Sequence, residues 1–225
     1  MKKWSNGAKN KKFVASYSGG KDSTLALYKA MQEGTAIGII VMMEEDGKRS
    51  RAHSLFPSVL KAQAEAIGLP LFTAATNWED YEKVFVKKLK EAKDLGAEVL
   101  VTGDIDVPEE ECWHERVTNG VGLKVGMPLW RKSHKEVVEE FIKLGFITKV
   151  VTVNLNKGMK KEDLGRILDF NYMRELEERG IDPCGEAGEF HTTVIAGPLF
   201  NKELKVKHGG IIEDGEYMYL TLDLE

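Results

Sequence analysis

Apolar residues follow two rhythms along this chain. Ala36-Ile37-Gly38-Ile39-Ile40-Val41-Met42-Met43 is an unbroken apolar run, the pattern of a parallel strand covered on both faces. Residues 13–17, 69–75 and 98–105 are further β-prone segments. Between them the period lengthens. In residues 80–95, Tyr81, Phe85, Leu89 and Ala92 form one stripe, and Lys87, Lys88, Lys90 and Glu91 occupy the other face, as in an amphipathic helix. Residues 22–33 and 57–67 are also predicted helices, and Gly34, Gly68 and Gly96 stop the three. This alternation predicts an α/β fold, a parallel sheet with helices on both faces.

Beyond residue 128 the pattern changes. Ser133-His134-Lys135-Glu136 reads as a capping box. The helix it opens carries Val137, Phe141 and Leu144 and ends near Gly145. Residues 149–155 predict a strand, 169–179 a helix closed by Gly180, and 192–196 a further strand. In the tail, Tyr217, Tyr219, Thr221 and Asp223 alternate with Met218, Leu220, Leu222 and Leu224, and Asp214-Gly215 is a good two-residue hairpin turn. A domain over residues 1–128 and a smaller α+β domain over residues 129–225 are expected.

Composition narrows the class. A hydrophobic content of 42% supports a real core, and a net charge of −4 argues against a surface built to hold nucleic acid. Cys112 and Cys184 are far apart, so neither a disulfide framework nor a cysteine zinc site is expected. The first twelve residues lack the apolar stretch of a signal peptide, and no run is long enough to span a membrane. A cytoplasmic location follows as the expectation.

The chemistry starts at Tyr17-Ser18-Gly19-Gly20-Lys21-Asp22-Ser23, between the first strand and the first helix. Two glycines let the backbone approach a ligand closely. The free N–H groups of the helix start and its dipole favour an anion there. Ser18 and Ser23 add hydroxyls and Lys21 adds charge, so a phosphate or pyrophosphate is the natural occupant. The common P-loop pattern fails, because Asp22 follows Gly20-Lys21 and Ala15 stands at its first glycine. Parallel sheets bind ligands at the carboxyl ends of their strands. That brings Met42 and Met43, His53 in the next loop, and Gly103-Asp104 to the same end, with adenine expected near Met42 and Met43.

A second constellation is Pro183-Cys184-Gly185-Glu186-Ala187-Gly188-Glu189-Phe190-His191-Thr192. Its carboxylates suit a cation or a proton, and His191 suits either near neutral pH. The plain alternative is a glycine-rich connector with solvated charges.

The run SGGKDS resembles the PP-loop of N-type ATP pyrophosphatases, whose domain is adenine nucleotide alpha hydrolase-like and whose loop grips the pyrophosphate half of ATP. Together with Thr102-Gly103-Asp104, Pro128-Leu129-Trp130 and the CGEAGEFHT run, the chain resembles the diphthine–ammonia ligase family over almost its whole length. The resemblance implies ATP-dependent amidation of diphthine on translation elongation factor 2, with ammonia as co-substrate and AMP and pyrophosphate as products of an acyl-adenylate route. It implies ATP contacts from Tyr17, Ser18, Gly19, Gly20, Lys21, Asp22, Ser23, Met42, Met43, His53, Gly103 and Asp104. Lys21 would neutralise the departing pyrophosphate, and Asp22 and Asp104 would help hold Mg2+. The acceptor would meet Cys184, Gly185, Glu186, Gly188, Glu189, Phe190, His191 and Thr192, with Glu189 and His191 beside Lys21 and Asp22 in the chemistry.

Alternatives stay open. His53 is a candidate for phosphate or for an ordinary surface position. Cys184 reads as structural more readily than as a nucleophile, Cys112-Trp113-His114 as part of a helix face, and Trp78 and Trp130 as core aromatics. A tRNA-modifying PP-loop enzyme and a non-catalytic ATP-binding sensor are the rival functions. The acidic balance and isolated cysteines weigh against the first, and product analysis with ATP separates the second. Neither stable nucleic-acid binding nor membrane association is expected, and a homodimer is left open.

Overall fold

The computed structural model describes residues 3–5 and 7–225. In chain order the first elements are β1 (Lys12–Ser16), α1 (Lys21–Met31), β2 (Thr35–Met43), α2 (Pro57–Ile67), β3 (Leu71–Ala75), α3 (Tyr81–Asp94), β4 (Val99–Val101), α4 (Trp113–Val121) and β5 (Lys124–Gly126). Then follow α5 (His134–Lys143), β6 (Ile147–Asn154), α6 (Phe170–Glu178), β7 (Phe190–Ala196), β8 (Val206–Asp214) and β9 (Tyr217–Leu224). The chain divides into two compact units. One holds the described residues up to Ser18 with Asp22–Ala52 and Leu69–Lys132, and the other holds Gly19–Lys21, His53–Gly68 and Ser133–Glu225.

The first unit is built on a parallel sheet in the order β3-β2-β1-β4-β5. Val14, Ile40 and Leu100 of its inner strands pack with Phe85 and Leu89 of α3 and with Val117 and Val121 of α4. Strands covered in this way need apolar residues at every position, which is why β2 reads as a continuous apolar run. Strand order turns back beside β1, between β2 and β4, the place where open α/β sheets bind ligands. Gly103, after β4, lies so close to the start of α1 that an added Cβ would sit 2.8 Å from Asp22 C and from Ser23 N. β5, only three residues long, escaped the sequence pattern. α4 begins at Trp113, where Cys112-Trp113-His114 reads as part of a helix face, and buries only Val117, Thr118 and Val121. Cys112 precedes α4 as its cap, its Sγ accepting the Glu115 N–H at 3.3 Å.

The second unit is organised on an antiparallel sheet in the order β7-β6-β9-β8. The capping box forms as expected, with Ser133 accepting the Glu136 N–H and Glu136 reaching back to Ser133. The hairpin turn is displaced by one residue. Asp214 pairs with Tyr217, so Gly215 and Glu216 make the loop, and Gly215 takes the φ of +60° that a side chain disfavours. Ala66 of α2 packs with Ile195 and Leu204, seating α2 on this sheet. Asp163, 2% exposed, accepts Arg179 Nη1 at 2.9 Å, Arg179 Nη2 at 2.8 Å and the Lys160 N–H at 2.7 Å. No helix of the described residues is long and apolar enough to cross a membrane.

Candidate functional site

In the first unit, β1 ends into Tyr17 and Ser18. The Ser18 N–H donates to Ser23 Oγ at 3.2 Å, and the two hydroxyl oxygens lie 3.0 Å apart. The buried Tyr17 hydroxyl accepts from Thr24 Oγ1 at 3.2 Å. Burial pushes the Tyr17 phenol above its ordinary pKa, with the Thr24 bond opposing. Beside Ser18 opens a cavity of about 140 Å³, whose lining includes Ile40, Val41, Met42, Arg51, Trp78 and Tyr81. The Arg51 guanidinium lies 4.4 Å from the Trp78 ring centroid and donates to the Thr76 carbonyl.

This corrects one aromatic expectation. Trp78 is 73% exposed and lines the cavity, whereas Trp130 is buried against Trp4 as a core residue should be. Met42 lines the cavity, but Met43 does not; its carbonyl accepts the Thr76 N–H at 3.3 Å. Asp104 Oδ2 lies 3.4 Å from His114 Nδ1.

The centre of the glycine run is counted with the second unit, and its bonding there is dense. Gly19 has φ +84° and its carbonyl accepts the Val194 N–H at 2.9 Å. The Lys21 N–H donates to Thr192 Oγ1 at 3.2 Å. Lys21 Nζ donates to the Cys184 carbonyl and stands 5.9 Å from the Phe190 ring centroid. Gly20 has no room for a side chain, because its Cβ would fall 2.1 Å from His53 Cε1. Within the second unit, Gly19–Lys21 are thus held by backbone and side chain to Cys184 and to β7.

His53 does not stand free on the surface. Its half-buried ring stacks on His191 with centroids 4.7 Å apart, and its Nδ1 lies 2.7 Å from the Thr192 carbonyl. Burial pushes its pKa down to about 4; the Lys21 charge adds to this, and the Thr192 carbonyl opposes it. The ring is therefore neutral at pH 7, and Nδ1 carries the proton, since a carbonyl can only accept.

The remaining motif residues fall in two consecutive turns. Gly185 donates to the Asp182 carbonyl and Gly188 to the Gly185 carbonyl, both at 3.0 Å. Asp182 also accepts the Cys184 N–H at 2.9 Å and lies 2.6 Å from His134 Nδ1. Cys184 is a buried thiol and Glu186 is exposed. Glu189 is 9% exposed, and its Oε2 has no hydrogen-bond partner.

Sequence reasoning missed Gln63. This fully buried side chain points its Nε2 at the Gly19 carbonyl (2.9 Å), Thr193 Oγ1 (3.1 Å) and the Val194 carbonyl (2.8 Å). The available signal was a polar residue inside the apolar stripe of α2, among Val59, Leu60, Ala64 and Ile67.

Comparison with known proteins adds an independent finding. Residues 11–125 match the diphthamide synthase N-terminal domain, and residues 133–223 match the diphthamide synthase C-terminal domain. A diphthine–ammonia ligase of Schizosaccharomyces pombe is 28% identical over 94% of this chain, which spans 39% of that protein's length. One from Rattus norvegicus is 25% identical over 86% of this chain and 82% of its own length. A crystal structure from Methanocaldococcus jannaschii, described as a predicted subunit of a tRNA methyltransferase, is 16% identical. It covers 83% of this chain and 98% of its own, with a TM-score of 0.46.

Proposed function

The chain belongs to the diphthamide synthase family, and we propose that it is an ATP-dependent ligase that amidates diphthine on translation elongation factor 2. A carboxylate resists ammonia until one of its oxygens becomes a leaving group. In the proposed route that oxygen attacks the α-phosphorus of ATP, and the bond to the β-phosphate oxygen breaks to release pyrophosphate. Ammonia then attacks the acyl carbon, AMP departs with the former carboxylate oxygen, and the nitrogen loses a proton. The observation that best supports this reading is the bonding of Gly19–Lys21 to Cys184, Thr192 and Val194, which joins an anion loop to a motif rich in carboxylates.

In this proposal residues 1–128 serve the nucleotide and residues 129–225 the acceptor. The cavity beside Ser18 takes the adenosine half, with Met42 and Tyr81 offering apolar contact. The loop N–H groups, Ser18, Ser23 and Lys21 take the phosphates. Lys21 leaves the Cys184 carbonyl to neutralise charge on the departing pyrophosphate. Mg2+, when bound, screens phosphate charge. The carboxylates of Asp22 and Asp104 are oxygen donors of the type it takes, and the close approach of Gly103 to the start of α1 fits a shared role. His53, neutral and hydrogen-bonded, holds His191 in place for the acceptor. The protein substrate implies a cytoplasmic location.

The test is product analysis with diphthine-bearing elongation factor 2, ATP, magnesium and ammonium. AMP and pyrophosphate should form in step with a mass change of the factor. ADP and phosphate as main products would exclude adenylation, and AMP formation without amidation would sink the ligase reading.

A further inference from the structure

Six side chains share one face of the antiparallel sheet. Direct pairing sets His191, Thr152 and Tyr219 in one row across β7, β6 and β9. In the next row Tyr217 pairs with Asn154, whose N–H donates to the Glu189 carbonyl at 2.8 Å. Residues paired across antiparallel strands point to the same side, as do alternate residues of one strand. The central strand therefore contributes two short side chains, Thr152 and Asn154, between longer ones on both flanks. The result is a trough floored by β6. Glu189 and His191 form one wall and the two tyrosines the other, their backbones about 10 Å apart at two strand spacings. The tyrosine rings lie near-parallel along their wall, with centroids 6.2 Å apart and 27° between their planes.

Two buried atoms of this set have no hydrogen-bond partner, Thr152 Oγ1 and Glu189 Oε2. An unpartnered buried carboxylate oxygen is costly, so its surroundings favour a positive ligand. A divalent metal wants several oxygen ligands and a primary ammonium wants three acceptors. The walls offer one carboxylate and two aromatic faces, which suit a cation with no hydrogen to donate.

We propose that this trough seats a quaternary ammonium group, with the charge of Glu189 on one wall and the faces of Tyr217 and Tyr219 on the other. The inference rests on the amidation reading, in which the trimethylammonium of diphthine is that cation. It assigns the acceptor two residues outside the CGEAGEFHT run. Tyr217 and Tyr219 fix the cation, and the register of β6 and β9 sets where the reacting carboxylate then lies.

The test compares the full-chain protein with a Tyr217→Leu/Tyr219→Leu variant and a Tyr217→Phe/Tyr219→Phe variant, after melting curves establish that all are folded. With diphthine-bearing elongation factor 2, the leucine pair should raise the acceptor KM about tenfold, leave the ATP KM unchanged, and be rescued by the phenylalanine pair. Independently of turnover, tetramethylammonium chloride is titrated into each protein by calorimetry. Wild type and the phenylalanine pair should bind it, and the leucine pair should bind about tenfold more weakly. Equal acceptor KM and equal tetramethylammonium affinity in the leucine pair would overturn the proposal. Absence of amidation by wild type would instead remove the amidation reading. The titration alone then decides the trough, upholding it if the leucine pair loses binding and overturning it if not.

Discussion

Two buried carboxylates in the second unit have opposite surroundings. Asp163 is 2% exposed, and both its oxygens are engaged by Arg179, with the Lys160 N–H added. Glu189 is 9% exposed, and one of its oxygens has no partner. A buried charge is tolerated when paired and hydrogen-bonded, and is costly when not. Asp163 therefore behaves as a strut, pinning the turn before Leu164 to the end of α6. Glu189 carries a deficit that folding leaves uncorrected, which is how a residue kept for a ligand differs from one kept for the fold.

The largest effect expected from this contrast is on stability. Arg179→Met leaves the buried Asp163 charge with only the Lys160 N–H and the Arg166 guanidinium, 3.9 Å away, to offset it, and should cost about 3–5 kcal/mol in urea denaturation at pH 7. Its pH dependence follows from the carboxyl. Burial alone would raise the pKa of Asp163, but Arg179 and the Lys160 N–H outweigh it and hold it below the ordinary carboxylate range. A folded pKa below the unfolded one gives stabilisation that is complete above about pH 4 and is lost as pH falls through the folded value. The gap between wild type and Arg179→Met should therefore narrow on acidification below that point. A gap constant with pH would mean that Arg179 acts by packing alone.

Glu189→Gln is the counterpart. It removes a charge the fold does not satisfy, so stability should be unchanged or slightly higher. Acceptor binding should weaken by about 2–5 kcal/mol through loss of the charged partner. ATP affinity by calorimetry should stay at the wild-type level. A stability loss comparable to that of Arg179→Met would erase the distinction between the two carboxylates.

What the chain disclosed in advance depended on range. Strands buried on both faces announce themselves as apolar runs, and the stripe Tyr81, Phe85, Leu89, Ala92 announces α3, because both signals are local. The glycine run was legible for the same reason. β5 was not, since three residues carry no period. Trp78 was misjudged because an indole reads as core unless its neighbours are known; here the Arg51 guanidinium stacks on it in the open. The candidate site was half legible. Each motif could be read from its own composition, but the bonding of Gly19–Lys21 to the second motif rests on pairs more than 160 residues apart in sequence, Lys21 with Cys184 and with Thr192.

Gln63 is the intermediate case and the smallest expected effect. Its Nε2 has two hydrogens for three acceptors, the Gly19 carbonyl, Thr193 Oγ1 and the Val194 carbonyl, while its Oε1 is buried with no partner. The amide is well matched on one side only, so it belongs partly to the fold and partly to the loop it orients. Gln63→Met keeps the volume and loses the donors, and should cost about 1–3 kcal/mol of stability. Gln63→Glu is the sharper probe. Its carboxylate would face acceptors that have no hydrogen to offer, apart from the Thr193 hydroxyl, so it should destabilise more than methionine does at pH 8. Protonation restores one donor, and the difference between the two variants should shrink toward pH 5. If Gln63 positions the glycine loop, both variants should also lower kcat under saturating ATP, with Gln63→Glu recovering activity as its stability recovers. Equal destabilisation by methionine and glutamate at both pH values would mean that the site senses volume and not polarity, and that the three short contacts of Nε2 do not hold the Gly19 carbonyl in place.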